Sequence, residues 1–313
     1  MRAAAPATAA RRLPLPRGRF LDLEGRPLVM GIVNVTPDSF YAKSRRASAA
    51  EAAQAALAME AEGAAIVDVG GESTRPGSRP VDEDEELERV IPAIEAIRAL
   101  SDVAVSVDTR RAAVARAALV AGADVVNDIS ALGDPGMATL AAERGAPVVL
   151  MHMKGEPSTM QASPSYADCV GEVVGFLLGA AERALAAGIP RGSIVLDPGI
   201  GFGKRLEDNL ALLDPDDGAV ARLSRAGWPV LVGLSRKSFV GAIAGREPEG
   251  RLAGSLGAAC AAYVAGARLF RVHDVAETAD ALAVLSRSLY GARALGLDRG
   301  AHDTGPARDG GRA

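Results

Sequence analysis

The sequence predicts a single α/β domain folded as a (β/α)8 TIM barrel. Eight short, nearly continuous apolar runs recur along it, at 28–35, 64–69, 104–107, 125–129, 147–151, 194–196, 229–234 and 268–272, as expected of strands buried on both faces. Alanine-rich helical stretches alternate with them, among others at 49–62, 83–100, 111–121, 169–187, 252–265 and 275–289. The units together span roughly 270 residues, close to the usual size of such a barrel. The rival doubly wound sheet normally carries G-x-G-x-x-G after its first strand, and that turn is missing here.

A barrel places its active site at the C-terminal ends of its strands. The first strand ends in Asn34, and Thr36-Pro37-Asp38 follow; the second runs into "DVGGESTRPG" at 68–77. The third delivers Asp108, Thr109 and Arg110, the fourth Asn127 and Asp128, and the fifth His152 and Lys154. The sixth ends in Asp197 and a glycine-rich loop, the seventh in "SRKS" at 235–238, and the eighth in "RVHD" at 271–274. Caps and turns alone could account for some of these groups. A polar group at every strand end points instead to a ligand site on one rim.

The chain has 313 residues, 49% hydrophobic and 24% charged, with a net charge of −4. That balance excludes a disordered chain and a global field for nucleic acid. No apolar run approaches the ~18 residues of a membrane span. Cys169 and Cys260 lie far apart among small or apolar residues, which suits buried thiols in a reducing, cytoplasmic setting. Residues 1–19, rich in Ala, Pro and Arg, read as a disordered extension, although a transit peptide would share that composition. Residues 20–292 read as the barrel and 293–313 as a second loose tail.

Asp108, Asn127 and Asp197 follow or interrupt apolar runs. A carboxylate in a dry barrel mouth is costly without a partner. A flat heterocycle with an amino-pyrimidinone edge would supply one; a helix cap is the alternative for each. Arg271 and His273 alternate along strand eight and share a face, and Asp274 with Glu277 has the spacing of a capping box. With Arg75, Arg236 and Lys237 on neighbouring loops, this end suits phosphate or pyrophosphate. Lys43, Lys154, Lys204 and Lys237 are the only lysines, and three of them lie in strand-end loops. The three histidines lack zinc spacing, whereas Mg2+ riding on a pyrophosphate needs few protein oxygens, and Asn34 offers one.

"MGIVNVTPDSF" (30–40), "DVGGESTRPG", "SVDTRR" (106–111), "VNDIS" (126–130), "LMHMKGEPSTMQ" (150–161), "LDPGIGFGK" (196–204), "GLSRKSFVG" (233–241) and "RVHDVAET" (271–278) together resemble the dihydropteroate synthase family, in order, over about 28–290. The resemblance implies a Mg2+-assisted transferase that joins p-aminobenzoate to a dihydropterin pyrophosphate, commonly as a homodimer. It implies that Asp108, Asn127, Asp197, Lys237 and Arg271 bind the pterin. Asn34, Thr74, Arg75, Arg271 and His273 would hold pyrophosphate, with Asn34 also on the metal. Thr74, Arg75, Pro76, Phe202 and Ser238 would shape the p-aminobenzoate pocket, and glycines 199–203 would let the ligand approach closely. After "TPDSF" the family commonly continues Ser-Asp-Gly-Gly. Tyr41-Ala42-Lys43-Ser44 stands here instead, from which a less freely closing first loop is expected. The remaining alternatives are a methyltetrahydrofolate-dependent methyltransferase with a corrinoid partner and a non-catalytic pterin-binding paralogue.

Overall fold

The computed structural model describes residues 12–24, 26–35, 42–72 and 81–291. A hairpin of β1 (Arg12–Pro14) and β2 (Phe20–Asp22) precedes eight strands: β3 (Leu28–Asn34), β4 (Ile66–Gly70), β5 (Ala104–Asp108), β6 (Val125–Asp128), β7 (Val148–Met151), β8 (Ile194–Asp197), β9 (Leu231–Gly233) and β10 (Leu269–Val272). All eight pair in parallel, in the order β8-β7-β6-β5-β4-β3-β10-β9. A parallel bridge from Leu196 to Val230 and the bond from Leu196 N to Pro229 O, 3.0 Å, bring β8 against β9 and round the sheet into a barrel. The predicted runs match these strands to within two residues at each end.

Helices cover the outside: α1 (Ala42–Ala61), α2 (Glu83–Arg98), α3 (Ala112–Ala121), α4 (Met137–Arg144), α5 (Cys169–Ala186), α6 (Leu206–Leu213), α7 (Ala219–Arg225), α8 (Ser238–Ala244), α9 (Leu252–Ala265) and α10 (Val275–Tyr290). Period decides which face each one buries. In α5 the buried positions Cys169, Val173, Leu177, Ala180, Ala181 and Ala184 form one helical stripe, and Asp168 caps its first turn by accepting from Gly171 N. In α2 the stripe is Val90, Ala93, Ile94 and Ile97 behind an Asp82 cap. α1 starts seven residues before its predicted stretch, and α4, α6, α7 and α8 lie outside the predicted stretches. Each of these four has only seven or eight residues, too few turns to show a clear period.

Strand pleating sorts the barrel residues into two sets. Val67, Val69, Val105, Val107, Val126, Val148, Ile194, Leu196 and Phe270 pack in the cluster shared with the helices. The opposite face supplies a lower interior layer of Met30, Ile66, Ala104, Val125, Val149, Val195, Leu231 and Leu269. The β1–β2 hairpin closes this end, with Leu13, Leu15 and Leu23 buried in the same cluster. This corrects the expected boundary, since residues 12–19 belong to the fold. Their apolar side chains besides proline are two leucines, Leu13 and Leu15, in a Pro- and Arg-rich stretch, and the burial of these depends on a non-local surface. Asp124 latches the hairpin in place. Fully buried, it accepts from Arg17 Nη2 and Arg19 Nη2, both at 2.5 Å, from Arg98 Nη2 at 2.8 Å and from Val105 N at 3.0 Å.

Candidate active site

Two residues further along, the same inward parity turns polar on five of the eight strands, with Asp68, Ser106, Asn127, Asp197 and Arg271. Ile32, Asp68, Ser106, Asn127, Met151, Asp197, Gly233 and Arg271 follow the lower layer. The barrel is therefore sealed below and charged above. One cavity at the C-terminal mouth is lined by Asp108, Asn127, Asp197, Phe202, Lys237, Arg271 and His273, together with Ile32, Ile129, Met151, Gly233 and Ser235.

The polar groups in this mouth already hold one another. Arg271 donates from Nε to Asp68 Oδ2 at 2.6 Å and from Nη2 to Asp108 Oδ2 at 2.7 Å. Asn127 Nδ2 donates to the same Asp68 oxygen at 3.1 Å. Asp197 Oδ1 accepts from Gly199 N at 2.7 Å. Lys237 Nζ donates to Ile200 O and lies 4.3 Å from the centre of the Phe202 ring. One oxygen on each of Asp108 and Asp197, the Asn127 carbonyl, the Lys237 ammonium and the flat face of the Arg271 guanidinium are left for a ligand. None of the three acidic or amide groups serves as a helix cap: α3 is capped from Arg111 without a side-chain bond.

Burial sets the charge states. It pushes the Asp108 carboxyl up to about 7; Arg271 pulls it back, while the Asp68 charge adds to the rise. Asp197 is also raised by burial, against Lys237 and the Gly199 N–H. Burial brings Lys237 down to about 8, with Asp197 resisting. Burial also opposes the Arg271 charge, but Asp68 and Asp108 more than offset it and its pKa is raised. The cavity thus presents acceptors on one side and a tunable ammonium on the other.

The seventh strand reaches this site through a strained turn. Arg236 has φ of 57°, in the left-handed region. It is pinned by Ser255 Oγ on its N–H, by Arg251 on its carbonyl and by Asp274 on its guanidinium at 2.5 and 3.0 Å. The turn sets Ser235 Oγ 3.1 Å from His273 Nδ1 and starts α8 at Lys237. This revises two expectations. The Arg236 charge is committed to Asp274 rather than offered to phosphate, and Asp274 pairs with Arg236 instead of closing a capping box.

The glycine loop also has a packing requirement that the sequence did not show. Gly199 and Gly203 have φ of 65° and 63°, and a Cβ on them would lie 1.9 Å from His152 O and 2.2 Å from Lys154 O. Both are required for contact with the neighbouring loop, whereas Gly201, at φ of 84°, faces Lys237 of the cavity, where a Cβ would lie 3.1 Å from Lys237 Cδ. Lys204 fastens that contact from below. Its buried Nζ donates to Gly199 O at 2.8 Å and to Phe202 O at 3.0 Å and lies 3.0 Å from His152 Nδ1, and burial brings the amine down to about 7. Burial, with Lys204 adding, holds His152 down at about 3, so the ring is neutral. Lys154 turns outward to Ser165 O and Glu172. Of the three strand-end lysines, only Lys237 lines the cavity.

Asn34 is exposed at the rim of β3 and Ser238 is exposed at the start of α8; neither lines the cavity. Thr74, Arg75 and Pro76 lie outside the described residues, as do Thr36 to Tyr41. Sequence reasoning gave no role to Asp68 or Ser235. A carboxylate in the middle of an otherwise apolar run, with inward parity, was the available signal for Asp68.

A family model for pterin binding enzymes matches residues 30–273. The dihydropteroate synthase of Escherichia coli K12 is 46% identical over 273 residues, covering 87% of this chain and 95% of that protein. A Xanthomonas albilineans dihydropteroate synthase solved with 4-aminobenzoic acid superposes with a TM-score of 0.81 at 46% identity, covering 90% of this chain and 99% of that one. A Burkholderia cenocepacia dihydropteroate synthase complexed with 7,8-dihydropteroate superposes with a TM-score of 0.75 at 45% identity, covering 87% of this chain and 94% of that one.

Proposed function

The chain belongs to the pterin-binding enzyme family and works as a dihydropteroate synthase, a transferase of folate synthesis; we propose the following division of labour in its site. The observation that carries it is the convergence of Asp108, Asn127, Asp197, Lys237 and Arg271, from five different strands or strand ends, on one cavity. The amino-pyrimidinone edge of the pterin donates to Asp197 and its carbonyl accepts from Lys237. Asp108 and Asn127 take the remaining N–H groups, and the Arg271 plane lies against the ring.

The C–O bond from the pterin methylene to pyrophosphate breaks, and the amine nitrogen of p-aminobenzoate bonds to that carbon and then loses its proton. The buried carboxylates favour positive charge developing on the pterin. Holding both substrates in one mouth supplies much of the rest. Phe202, fixed by the Lys204 staple, walls the p-aminobenzoate side with Ser238, Thr74, Arg75 and Pro76. His273 and Asn34 face the pyrophosphate.

No group of three or more His, Cys, Asp or Glu suited to a metal occurs among the described residues. The exposed Asn34 carboxamide is a single neutral oxygen, which fits a Mg2+ that arrives with the pyrophosphate and keeps its waters. Such an ion would supply charge neutralisation at the leaving group.

A homodimer through the exposed apolar residues Ile243, Val264 and Val284 on α8, α9 and α10, in the cytoplasm where Cys169 and Cys260 stay free, completes the reading. No helix among the described residues is long and apolar enough to cross a membrane.

The test is pyrophosphate release from the dihydropterin pyrophosphate with Mg2+. Release should depend on p-aminobenzoate and disappear in Lys237→Ala. Tight pterin binding without release would make the chain a non-catalytic paralogue.

A further inference from the structure

Asp68 lies on β4, fully buried beneath the mouth, and none of the roles implied for the pterin site falls on it. Its Oδ2 accepts from both Arg271 Nε and Asn127 Nδ2. Its Oδ1 has no hydrogen-bond partner among the described residues. A half-satisfied carboxylate in a barrel interior is a poor stabilising element, because an apolar side chain of similar size would avoid the desolvation. The two bonds it does make have directional consequences. An Asn127 that donates one of its two Nδ2 hydrogens to Asp68 has the sense of its amide set, with its carbonyl left for whatever fills the cavity. An Arg271 tied at Nε by Asp68 and at Nη2 by Asp108 cannot swing its plane.

We propose that Asp68 is a positioning residue that fixes the donor–acceptor sense of Asn127 and the plane of Arg271, and thereby the orientation in which the pterin is read. The inference rests on the pterin reading given above and adds a residue to it. Without Asp68 the Asn127 amide is free to turn over and present a donor where the ligand also has a donor, and the guanidinium collapses onto Asp108.

The test is a coupling cycle read by calorimetry, with 6-hydroxymethyl-7,8-dihydropterin as the probe. Asp68→Asn should weaken binding about tenfold or more, while the same change made in an Asn127→Ala background should cost clearly less, because the Asn127 part of the orientation is already gone and only the Arg271 part remains to be lost. Thermal melts check the fold. Should Asp68→Asn not fold, Asp68→Ser, which leaves Arg271 paired to Asp108, carries the same cycle.

A second readout is the pH profile of binding. Asp108 is faced by Arg271, Asp68, Glu86 and Asp128, so removing the Asp68 charge moves its acidic limb to lower pH. Unchanged binding in Asp68→Asn, or equal losses in both backgrounds, would overturn the inference and leave the functional reading intact. Failure of the unmodified chain to bind the probe would overturn both.

Discussion

Among the described residues, buried carboxylates stand at both ends of the barrel, Asp124 at one and Asp68 with Asp108 at the other, and they are held on opposite terms. At the closed end Asp124 accepts from three guanidiniums and a backbone N–H, so both of its oxygens are used. At the open end Asp68 and Asp108 share one guanidinium, Asp68 keeps an orphan oxygen, and burial raises Asp108 well above the usual carboxylate range. A charge taken out of water must be matched by its surroundings. Asp124 is matched by the protein and serves the fold. The upper pair is matched only in part, and the remainder is available to a ligand.

Removing the lower cluster should produce the largest change in stability. Asp124→Ala leaves three arginines and the Val105 N–H without their acceptor and should cost about 3 kcal/mol, the low end for a broken buried pair because Arg17 and Arg19 reach solvent. A denaturant titration reads it, and pterin affinity of the folded fraction should not move. A loss of affinity equal to the loss of stability would erase the distinction between the two ends.

Asp197→Asn should give the converse result. Pterin affinity falls about tenfold to hundredfold, the value of hydrogen bonds to a charged acceptor, while the unfolding midpoint holds or rises because a costly buried charge is gone.

A third effect is a pH slope, spread over several pH units. Asp108 titrates near 7 in the folded state against 3.8 as its ordinary value. The folded chain therefore keeps a proton that the unfolded chain has already lost, and this contribution to stability is complete below about pH 4 and fades as pH rises through about 7. Pterin affinity should run the other way, rising over the same interval as the carboxylate forms. Comparing the unmodified chain with Asp108→Asn at pH 5 and pH 8 isolates both slopes. Parallel slopes in the two chains would show that Asp108 is already ionised throughout.

Much of the site was legible because barrel geometry converts sequence parity into place. Asp108, Asn127, Asp197 and Arg271 stand at strand ends with the same inward parity as the apolar layer beneath them. Phe202 and Lys237 follow within the next few residues. What the sequence concealed were partners remote along the chain. The bonds from Arg271 to Asp68 and Asp108 span 203 and 163 residues, and no local pattern encodes them. The glycines at 199 and 203 were visible as turn residues, but the carbonyls that require them belong to the preceding loop. The first part of the hairpin, residues 12–19, looked like a tail because two leucines are too few to show a period of their own.

By itself, then, the sequence determined eight buried strands, their alternation with helices and the polar end of each strand. These follow from hydrophobic periodicity and backbone sterics, which act over a few residues. Only the tertiary structure decided which buried charges are satisfied, which lysine reaches the cavity and what seals the barrel floor. Those outcomes depend on which groups closure of the sheet brings within hydrogen-bond distance, and desolvation then fixes their charge states.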